Sequence, residues 1–218
     1  MEDTKGRHVR EMESSIAGIK LVEHLDLETF KMNPCTLASS HNHKQCLYYH
    51  SEKDKRRDFV EYGYGPILCE EMNNSGRCTK GLLCGNAHSK VEQAYHPTKY
   101  RFKFCSYFPG AISECLYGKF CSYAHSEQEI KCELIHNYSL DVDFYLYLYK
   151  TKFCPFTKPH DRGSCVYAHN WQDYRRDPSC YIYAPVECNS WQSSRAGDPY
   201  NQMCPYGDNC GSCHGNHV

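Results

Sequence analysis

Cysteine and histidine recur along this chain at nearly fixed intervals, and this pattern restricts the possible folds more than any other feature. Residues 115–125 read CLYGKFCSYAH, and together with Cys105 they form the series C-x9-C-x5-C-x3-H. The segment before it contains the series C-x8-C-x5-C-x3-H. Three thiolates and one imidazole suit the tetrahedral coordination of zinc, and the short arms fold around one ion without regular strands. The two series therefore predict two zinc fingers, with the ligand sets Cys69, Cys78, Cys84 and His88, and Cys105, Cys115, Cys121 and His125.

Two further sets contain two cysteines and two histidines. Residues 35–50 have the spacing C-x5-H-x4-C-x3-H, and residues 154–169 repeat it 119 positions later. The same offset relates KRRDFVEYGYGPILC, which ends at residue 69, to YRRDPSCYIYAPVEC, which ends at residue 188. This agreement predicts an internal duplication. The predicted ligands are Cys35, His41, Cys46 and His50 in the first set, and Cys154, His160, Cys165 and His169 in the second.

The second copy ends with a less regular set, which consists of Cys188, Cys204, Cys210 and His214. Its first gap has 15 residues where the first copy has eight, and Cys213 and His217 are competing ligands. We therefore expect five zinc ions, or four if this last finger is degenerate. The five sets use 13 cysteines and seven histidines, and they leave out only Cys132, Cys180 and Cys213. The alternative is that the cysteines are buried thiols or disulfide partners without a metal.

Composition agrees with a chain that metal ions organise. It has 16 cysteines and 13 histidines among 218 residues, and only 40% of its residues are hydrophobic. The charged start MEDTKGRHVREMESS lacks the apolar run of about 7–15 residues of a secretory leader, and no window approaches the roughly 18 apolar residues of a membrane span. We therefore expect reduced thiols in an intracellular protein, cytoplasmic or nuclear. The net charge of −1 argues against coating of nucleic acid by bulk electrostatic attraction.

These spacings resemble those of CCCH zinc fingers. The order of a C-x5-H-x4-C-x3-H element, the basic stretch KDKRRDF and two fingers separated by 16 residues is similar to the arginine-rich-region tandem zinc-finger family of plants, over residues 28–136. A triple finger followed by a second cluster is also similar to the Unkempt group of RNA-binding proteins. The resemblance implies binding of short single-stranded RNA elements and regulation of mRNA stability or translation. It also implies fingers that pack into compact clusters.

Recognition of bases in single-stranded RNA requires flat side chains, which here would lie beside the metal loops. The third finger has Tyr117 and Tyr123, each two residues after a cysteine, at positions that match the aromatic positions of tristetraprolin-like fingers. The second finger has Lys80 and Asn86 there, so we expect it to act as scaffold. The other predicted RNA contacts are the lead-in residues Tyr100, Arg101, Phe102 and Lys103, the single tyrosines Tyr48, Tyr167 and Tyr206, and the basic pair Arg56 and Arg57.

Each of these interpretations has an alternative. A lone tyrosine can simply cover its zinc site, and the repeated Arg-Arg-Asp can pair with carboxylates between fingers. The sequence HSE occurs twice and is reminiscent of zinc deaminases, but its histidines already complete four-ligand sites that leave no open coordination position. We therefore predict a binding protein and not an enzyme. The runner-up function is a zinc-stabilised scaffold for protein-protein contacts without RNA binding, which the net charge of −1 allows.

The predicted fold class is a set of small irregular zinc-stabilised domains, in which CCCH zinc-finger clusters consist of short helical turns and loops with little regular sheet. We expect a first cluster at residues 28–136 and a second at residues 149–218. Residues 1–27 are predicted to form a tail or a short docking helix, and residues 137–148 one aromatic strand or a buried linker. The expected partners of this monomer are single-stranded RNA and mRNA-decay or translation factors, and no membrane.

Overall fold

A computed structural model describes residues 25–194 and 198–215, so the predicted N-terminal tail or docking helix lies outside it except for residues 25–27. No helix within these ranges is both long enough and apolar enough to cross a bilayer. The regular elements are short, which confirms the predicted fold class. The α-helices are α1 (Phe59–Tyr62), α2 (Glu70–Ser75), α3 (Lys90–Ala94), α4 (Val142–Tyr147), α5 (Asn189–Gln192) and α6 (Tyr200–Met203), and the strands are β1 (Gly65–Leu68), β2 (Asn86–Ala87), β3 (Ala184–Glu187) and β4 (Ser212–Cys213).

The strands form two small parallel pairs, β1 with β2 and β3 with β4. Each pair fixes the first cysteine of a finger: Cys69 N donates to Ala87 O at 2.8 Å, and Cys188 N donates to Cys213 O at 3.1 Å. Because β1 and β3 begin 119 residues apart, at residues 65 and 184, the duplication read from the sequence extends to the backbone.

A glycine in the left-handed conformation shapes the arm between the second and third cysteines of each three-cysteine finger. These glycines, each three residues after the second cysteine, are Gly81, Gly118 and Gly207, with φ of 53°, 51° and 49°. A side chain is strained at such angles, whereas glycine adopts them freely. One turn of 3-10 helix starts at each of them, at Gly81–Leu83, Gly118–Phe120 and Gly207–Asn209, and ends at the third cysteine.

A carboxylate four residues after the last histidine is common to four of the five sites. It accepts a hydrogen bond from the backbone N of that histidine at 3.2, 2.6, 2.7 and 2.9 Å, in Asp54, Glu92, Glu129 and Asp173 respectively. The same carboxylates form ion pairs with a cation that precedes the first cysteine, at 2.8, 2.7, 3.3 and 3.1 Å from Lys31, Arg57, Arg101 and Lys150. These ion pairs therefore join the two ends of each site.

The pair Arg57–Glu92 is the most deeply buried of the four, with side-chain exposures of 5% and 2%. The Arg57 guanidinium also donates to the carbonyls of Leu82, Cys84 and Asn86, at 2.9, 2.9 and 2.6 Å. Arg56 is buried as well and donates to Leu27 O. The prediction that these two arginines contact phosphates is therefore wrong, because neither is accessible. The structural alternative, a guanidinium paired with a carboxylate, describes Arg57.

Aromatic side chains fill the space between neighbouring sites. Where the first three sites meet, the buried rings are Phe30, Tyr95, Tyr100 and Phe120. The phenol of Tyr95 donates to Phe120 O at 2.6 Å, so this small core is also hydrogen-bonded. The first site contacts the third finger directly, because the side chains of Asn42 and Gln45 donate to Leu116 O at 3.3 and 3.0 Å.

Contacts continue from the third finger to the fourth site and on to the fifth. Phe104 N donates to Pro155 O at 2.8 Å, and the Thr157 hydroxyl donates to Phe104 O at 2.8 Å. Trp171, after the fourth site, lies 4.7 Å from the ring of Tyr200 in the last finger. The five sites therefore form an unbroken series of packed units.

Residues 137–148 contain the helix α4, so the prediction of a strand there is wrong. The Asp141 carboxylate accepts from Phe144 N at 2.9 Å, which caps the first turn. Phe144 is buried beside Ile135 and Tyr167 and fixes the helix to the fourth site. The aromatic alternation resembles a strand, but the N-cap and one buried ring are enough to set a helix of six residues.

We expect Glu92→Gln to destabilise the zinc-loaded protein by about 3–5 kcal/mol, because it leaves the buried Arg57 charge without a counter-charge. The shift of the urea unfolding midpoint at saturating zinc measures the change. The control is Glu52→Gln, since the Glu52 carboxylate is 83% exposed and lies 3.8 Å from Lys55. Its expected cost is below about 1 kcal/mol. Equal small effects of the two substitutions would contradict a structural role for the Arg57–Glu92 pair.

Candidate metal centres

The structure brings together the four residues of every predicted ligand set. In each set, the four candidate ligand atoms all lie within 4.8 Å of one another. Among the residues that the structure describes there are five such clusters, which equals the number of zinc sites expected from the sequence. The sets are Cys35, His41, Cys46 and His50; Cys69, Cys78, Cys84 and His88; Cys105, Cys115, Cys121 and His125; Cys154, His160, Cys165 and His169; and Cys188, Cys204, Cys210 and His214.

The separations between these atoms fit a tetrahedral zinc ion. Zn–S bonds of about 2.3 Å and Zn–N bonds of about 2.0–2.1 Å give tetrahedron edges of about 3.8 Å between sulfurs and about 3.3 Å between nitrogens. The Sγ atoms lie 3.8 Å apart in Cys35–Cys46, 3.9 Å in Cys105–Cys115, 3.9 Å in Cys154–Cys165 and 3.7 Å in Cys188–Cys204. The Nε2 atoms lie 3.2 Å apart in His41–His50 and 3.0 Å apart in His160–His169. A disulfide bond is about 2.0 Å long, so the disulfide alternative is wrong for these cysteines.

The histidine rings are oriented for coordination. Nδ1 lies 2.8 Å from Ser39 O in His41 and 2.9 Å from Lys158 O in His160. A carbonyl partner requires the proton on Nδ1, which leaves the Nε2 lone pair facing the cluster. In the two central fingers, the buried Nε2 atoms of His88 and His125 have no hydrogen-bond partner among the described residues. Buried polar atoms are nearly always satisfied, and coordination to a metal accounts for both.

The protonation states of the candidate ligands are also compatible with binding of a divalent cation. Burial lowers the pKa of His88 and His125, and it lowers the pKa of His214 to about 4, so these imidazoles are neutral near pH 7. Burial raises the pKa of the Cys154 thiol to about 12. Such a thiol does not ionise by itself near neutral pH, whereas the charge of a bound cation favours the thiolate. A bound zinc ion would supply the charge that lets Cys154 act as a thiolate ligand.

The last set assembles despite its 15-residue gap. Trp191, which lies in this gap, stacks on His214 with 4.3 Å between ring centroids and 4° between planes. Cys213 is buried in β4 and is not among the four clustered residues, and His217 lies outside the described ranges. We therefore propose Cys188 and His214 as the outer ligands of this finger, and Cys213 as a packing residue.

Sequence reasoning anticipated a paired arginine at Arg57 but missed the three other ion pairs, which are formed by Lys31, Arg101 and Lys150. Lys31 and Lys150 are buried, and their ammonium groups donate to Tyr48 O and Tyr167 O at 3.0 and 3.1 Å. A signal existed in the sequence. A basic residue stands four positions before the first cysteine in three sites, and an acidic residue stands four positions after the last histidine in four. The three basic residues Lys31, Arg101 and Lys150 share the left-handed conformation, with φ of 60°, 59° and 61°.

The predicted RNA contacts divide into buried and accessible residues. Tyr100 is buried in the aromatic core between the first three sites, and Tyr167 is buried with its hydroxyl 2.7 Å from His136 Nδ1. Neither ring can stack on a base, so the prediction of an RNA contact is wrong for both. Arg101 is partly buried in its ion pair with Glu129. The accessible residues are Tyr48, Phe102, Lys103, Tyr117, Tyr123 and Tyr206.

The third finger has an open cavity directly beside its metal cluster. The cavity has a volume of about 320 Å³, and its walls include Tyr107, Leu116, Tyr117 and Tyr123 together with the cysteine ligands. Tyr117 and Tyr123 are 43% and 44% exposed. We call this site the third-finger cavity. Two rings fixed to the metal loops at an apolar cavity are what a stacking site for bases requires.

Two segments of the chain match a known family. Residues 24–57 and 143–176 fit the family described as AtC3H23-like, CCCH zinc finger. Both segments are CCCH zinc-finger matches. The two begin 119 residues apart and end 119 residues apart, which confirms the duplication read from the sequence. Each of them contains one of the two C-H-C-H sets and the Arg-Arg pair that follows it.

Plant CCCH zinc-finger proteins are similar to about half of the chain. Zinc finger CCCH domain-containing protein 61 of Arabidopsis thaliana is 32% identical over 110 residues, which cover 50% of this chain and 28% of the relative. Protein 49 of the same plant is 34% identical over 120 residues, or 55% of this chain and 32% of the relative. Protein 50 of Oryza sativa subsp. japonica is 32% identical over 103 residues, or 47% and 15%. The matched part therefore spans a third or less of these relatives.

We expect native mass spectrometry to find five zinc ions on the chain and four on the variant Cys115→Ser, because the third finger then lacks a ligand of the CCCH set. Cys132→Ser is the control, since Cys132 lies outside all five clusters and should leave five ions bound. Loss of an ion from Cys132→Ser, or five ions retained on Cys115→Ser, would contradict the proposed ligand set.

Proposed function

We propose that this chain binds short single-stranded RNA through the third-finger cavity, and that zinc is required because it positions the stacking rings. The observation that supports this most is the pair Tyr117 and Tyr123, which flank the third cysteine ligand, Cys121, in the sequence, are exposed and line the cavity. Base–aromatic stacking contributes about 1–3 kcal/mol per base.

The Tyr117 ring is held in place before any ligand binds. The carbonyl of Leu116, the neighbour of Tyr117, accepts from Asn42 and Gln45 of the first site. The Lys44 ammonium lies 5.4 Å from the centre of the Tyr117 ring. Gly118 also packs against Gln45, where an added Cβ would lie 3.1 Å from the amide. A ring fixed from several sides loses little conformational freedom on binding, and this favours affinity.

The second finger lacks these features and is proposed as scaffold. At the positions of the two tyrosines it has Lys80 and Asn86, and its Leu82 and Leu83 are exposed instead. Its residue Glu92 holds Arg57 from the connection to the first site. This finger therefore joins the first site to the third finger and supports the stacking surface indirectly.

The biological consequence that we propose is regulation of mRNA stability or translation, by a monomer that recruits decay or translation factors. This proposal extends the resemblance to CCCH proteins. The names of the matched relatives mention only the zinc-finger domain. Exposed tyrosines beside the first and last sites, Tyr48 and Tyr206, are further candidates for contacts with bases. Four protein ligands close each metal centre, so we propose a binding role for zinc and no catalytic one.

A protein-binding scaffold is the second candidate function. The observation that favours it is the apolar surface around α4, where Leu140, Val142 and Leu146 are 58%, 72% and 50% exposed. Exposed apolar patches of this kind mark interaction sites on many proteins. The two functions can be told apart by RNA binding, because a protein-binding scaffold does not need to bind RNA.

We expect Tyr117→Ala and Tyr123→Ala each to weaken binding of a short U-rich or A/U-rich RNA by roughly 5- to 150-fold, which corresponds to about 1–3 kcal/mol per lost stacking contact. Fluorescence anisotropy on the zinc-loaded chain measures this. Tyr138→Ala is the matched control, since Tyr138 is 50% exposed and lies outside the cavity. Absence of binding at low salt with zinc bound would instead favour the scaffold.

A further inference from the structure

A second, larger groove lies between the third finger and the fourth site. Its volume is about 670 Å³, and its walls include Lys99, Phe102, Lys103, Tyr123, Lys152 and Phe153. The groove is built by the segments that lead into the two metal sites. We call it the inter-finger groove. One wall comes from the third finger and its flanks and the other from the fourth site, so neither unit contains the groove alone.

The groove carries positive charge, although the chain as a whole has a net charge of −1. Three lysines and one carboxylate, that of Glu133, line it. Glu133 is paired with Lys152 at 3.4 Å. Lys99 and Lys103 are exposed and form no ion pair within the described ranges. Two unpaired ammonium groups along a groove fit phosphates of a nucleic-acid backbone.

The groove also offers aromatic surface that is fixed in position. Phe153 is 40% exposed, and its ring is stacked on Tyr174 with 5.2 Å between centroids and 5° between planes. The Trp171 ring lies nearly perpendicular to the same ring, with 4.7 Å between centroids and 84° between planes. Phe102, on the opposite segment, is 38% exposed. Accessible rings next to ammonium groups are the combination that binds single strands without strong sequence preference.

The two sites share a wall. Tyr123 lines both the third-finger cavity and the inter-finger groove. A strand with a base on Tyr123 therefore reaches the groove with its next nucleotides. The width of the groove is also fixed, because Phe104 N donates to Pro155 O and Thr157 donates to Phe104 O, both at 2.8 Å, between its two halves.

We propose that the inter-finger groove binds the continuation of the same single-stranded RNA, with phosphates near Lys99 and Lys103 and a base on Phe153. This inference rests on the proposed function and adds a second binding segment to it. The third-finger cavity then selects the bases, while the groove adds affinity through the backbone and one stacking contact. An acidic peptide is the alternative occupant, and the test separates the two.

The test compares RNAs of about four and about twelve nucleotides, of U-rich or A/U-rich sequence, on the zinc-loaded chain by fluorescence anisotropy. The wild-type chain should bind the longer RNA at least about tenfold more tightly. The double variant Lys99→Glu and Lys103→Glu should lose most of that gain and keep the affinity for the shorter RNA. Two lost phosphate contacts should also reduce the slope of log K against log salt concentration by about 1.4.

The control is the double variant Lys53→Glu and Lys90→Glu, which changes the net charge equally at exposed lysines outside the groove. It should bind both RNAs as the wild type does. Two results would contradict RNA binding in the groove and leave the proposed binding in the cavity unaffected. The first is equal affinity of the wild type for both RNA lengths, and the second is an equal loss of affinity for both lengths in the groove variant. No binding of either RNA would overturn the proposed function as well. Tighter binding of a poly-glutamate peptide than of the longer RNA, lost in the groove variant, would assign the groove to an acidic peptide instead.

Discussion

Convergence of four cysteine and histidine side chains on one point, with all ligand atoms within 4.8 Å, fixes the backbone of each finger in this chain. The described regular elements are at most six residues long, too short to bury much apolar surface. Structural zinc contributes apparent binding free energies of about 10–16 kcal/mol in isolated finger peptides, which exceeds the net stability of many small domains. Coordination therefore takes the place that an apolar core has in an ordinary domain.

The ion pairs between each lead-in cation and the carboxylate after the last histidine form a second level of organisation. They link the segment before the first metal ligand to the segment after the last one. The carboxylate also accepts a hydrogen bond from the backbone N of the ligating histidine. Partners of this kind orient metal ligands and hold the rings. Aromatic cores and hydrogen bonds then join neighbouring sites, and the segment that carries Tyr117 packs against the first site.

Much of this arrangement could be predicted from the sequence, because metal ligation depends on residue type and spacing within a short segment. The ligand sets, the duplication and the irregular fold class all follow from local patterns. The burial of Arg57, Tyr100 and Tyr167 could not be predicted in the same way, since it depends on which surfaces neighbouring fingers cover. The helix α4 depends on one cap at Asp141 and one buried ring at Phe144, and the aromatic alternation suggests a strand equally well.

The most direct test of the central claim is to remove zinc with a chelator and to follow amide hydrogen exchange together with far-UV circular dichroism. If coordination holds the fold, amides such as Cys105 N, which donates to Ala124 O at 2.9 Å, lose protection as the metal leaves and regain it when zinc is restored. Amides that stay protected, with an unchanged dichroism spectrum after all metal has been removed, would contradict the account.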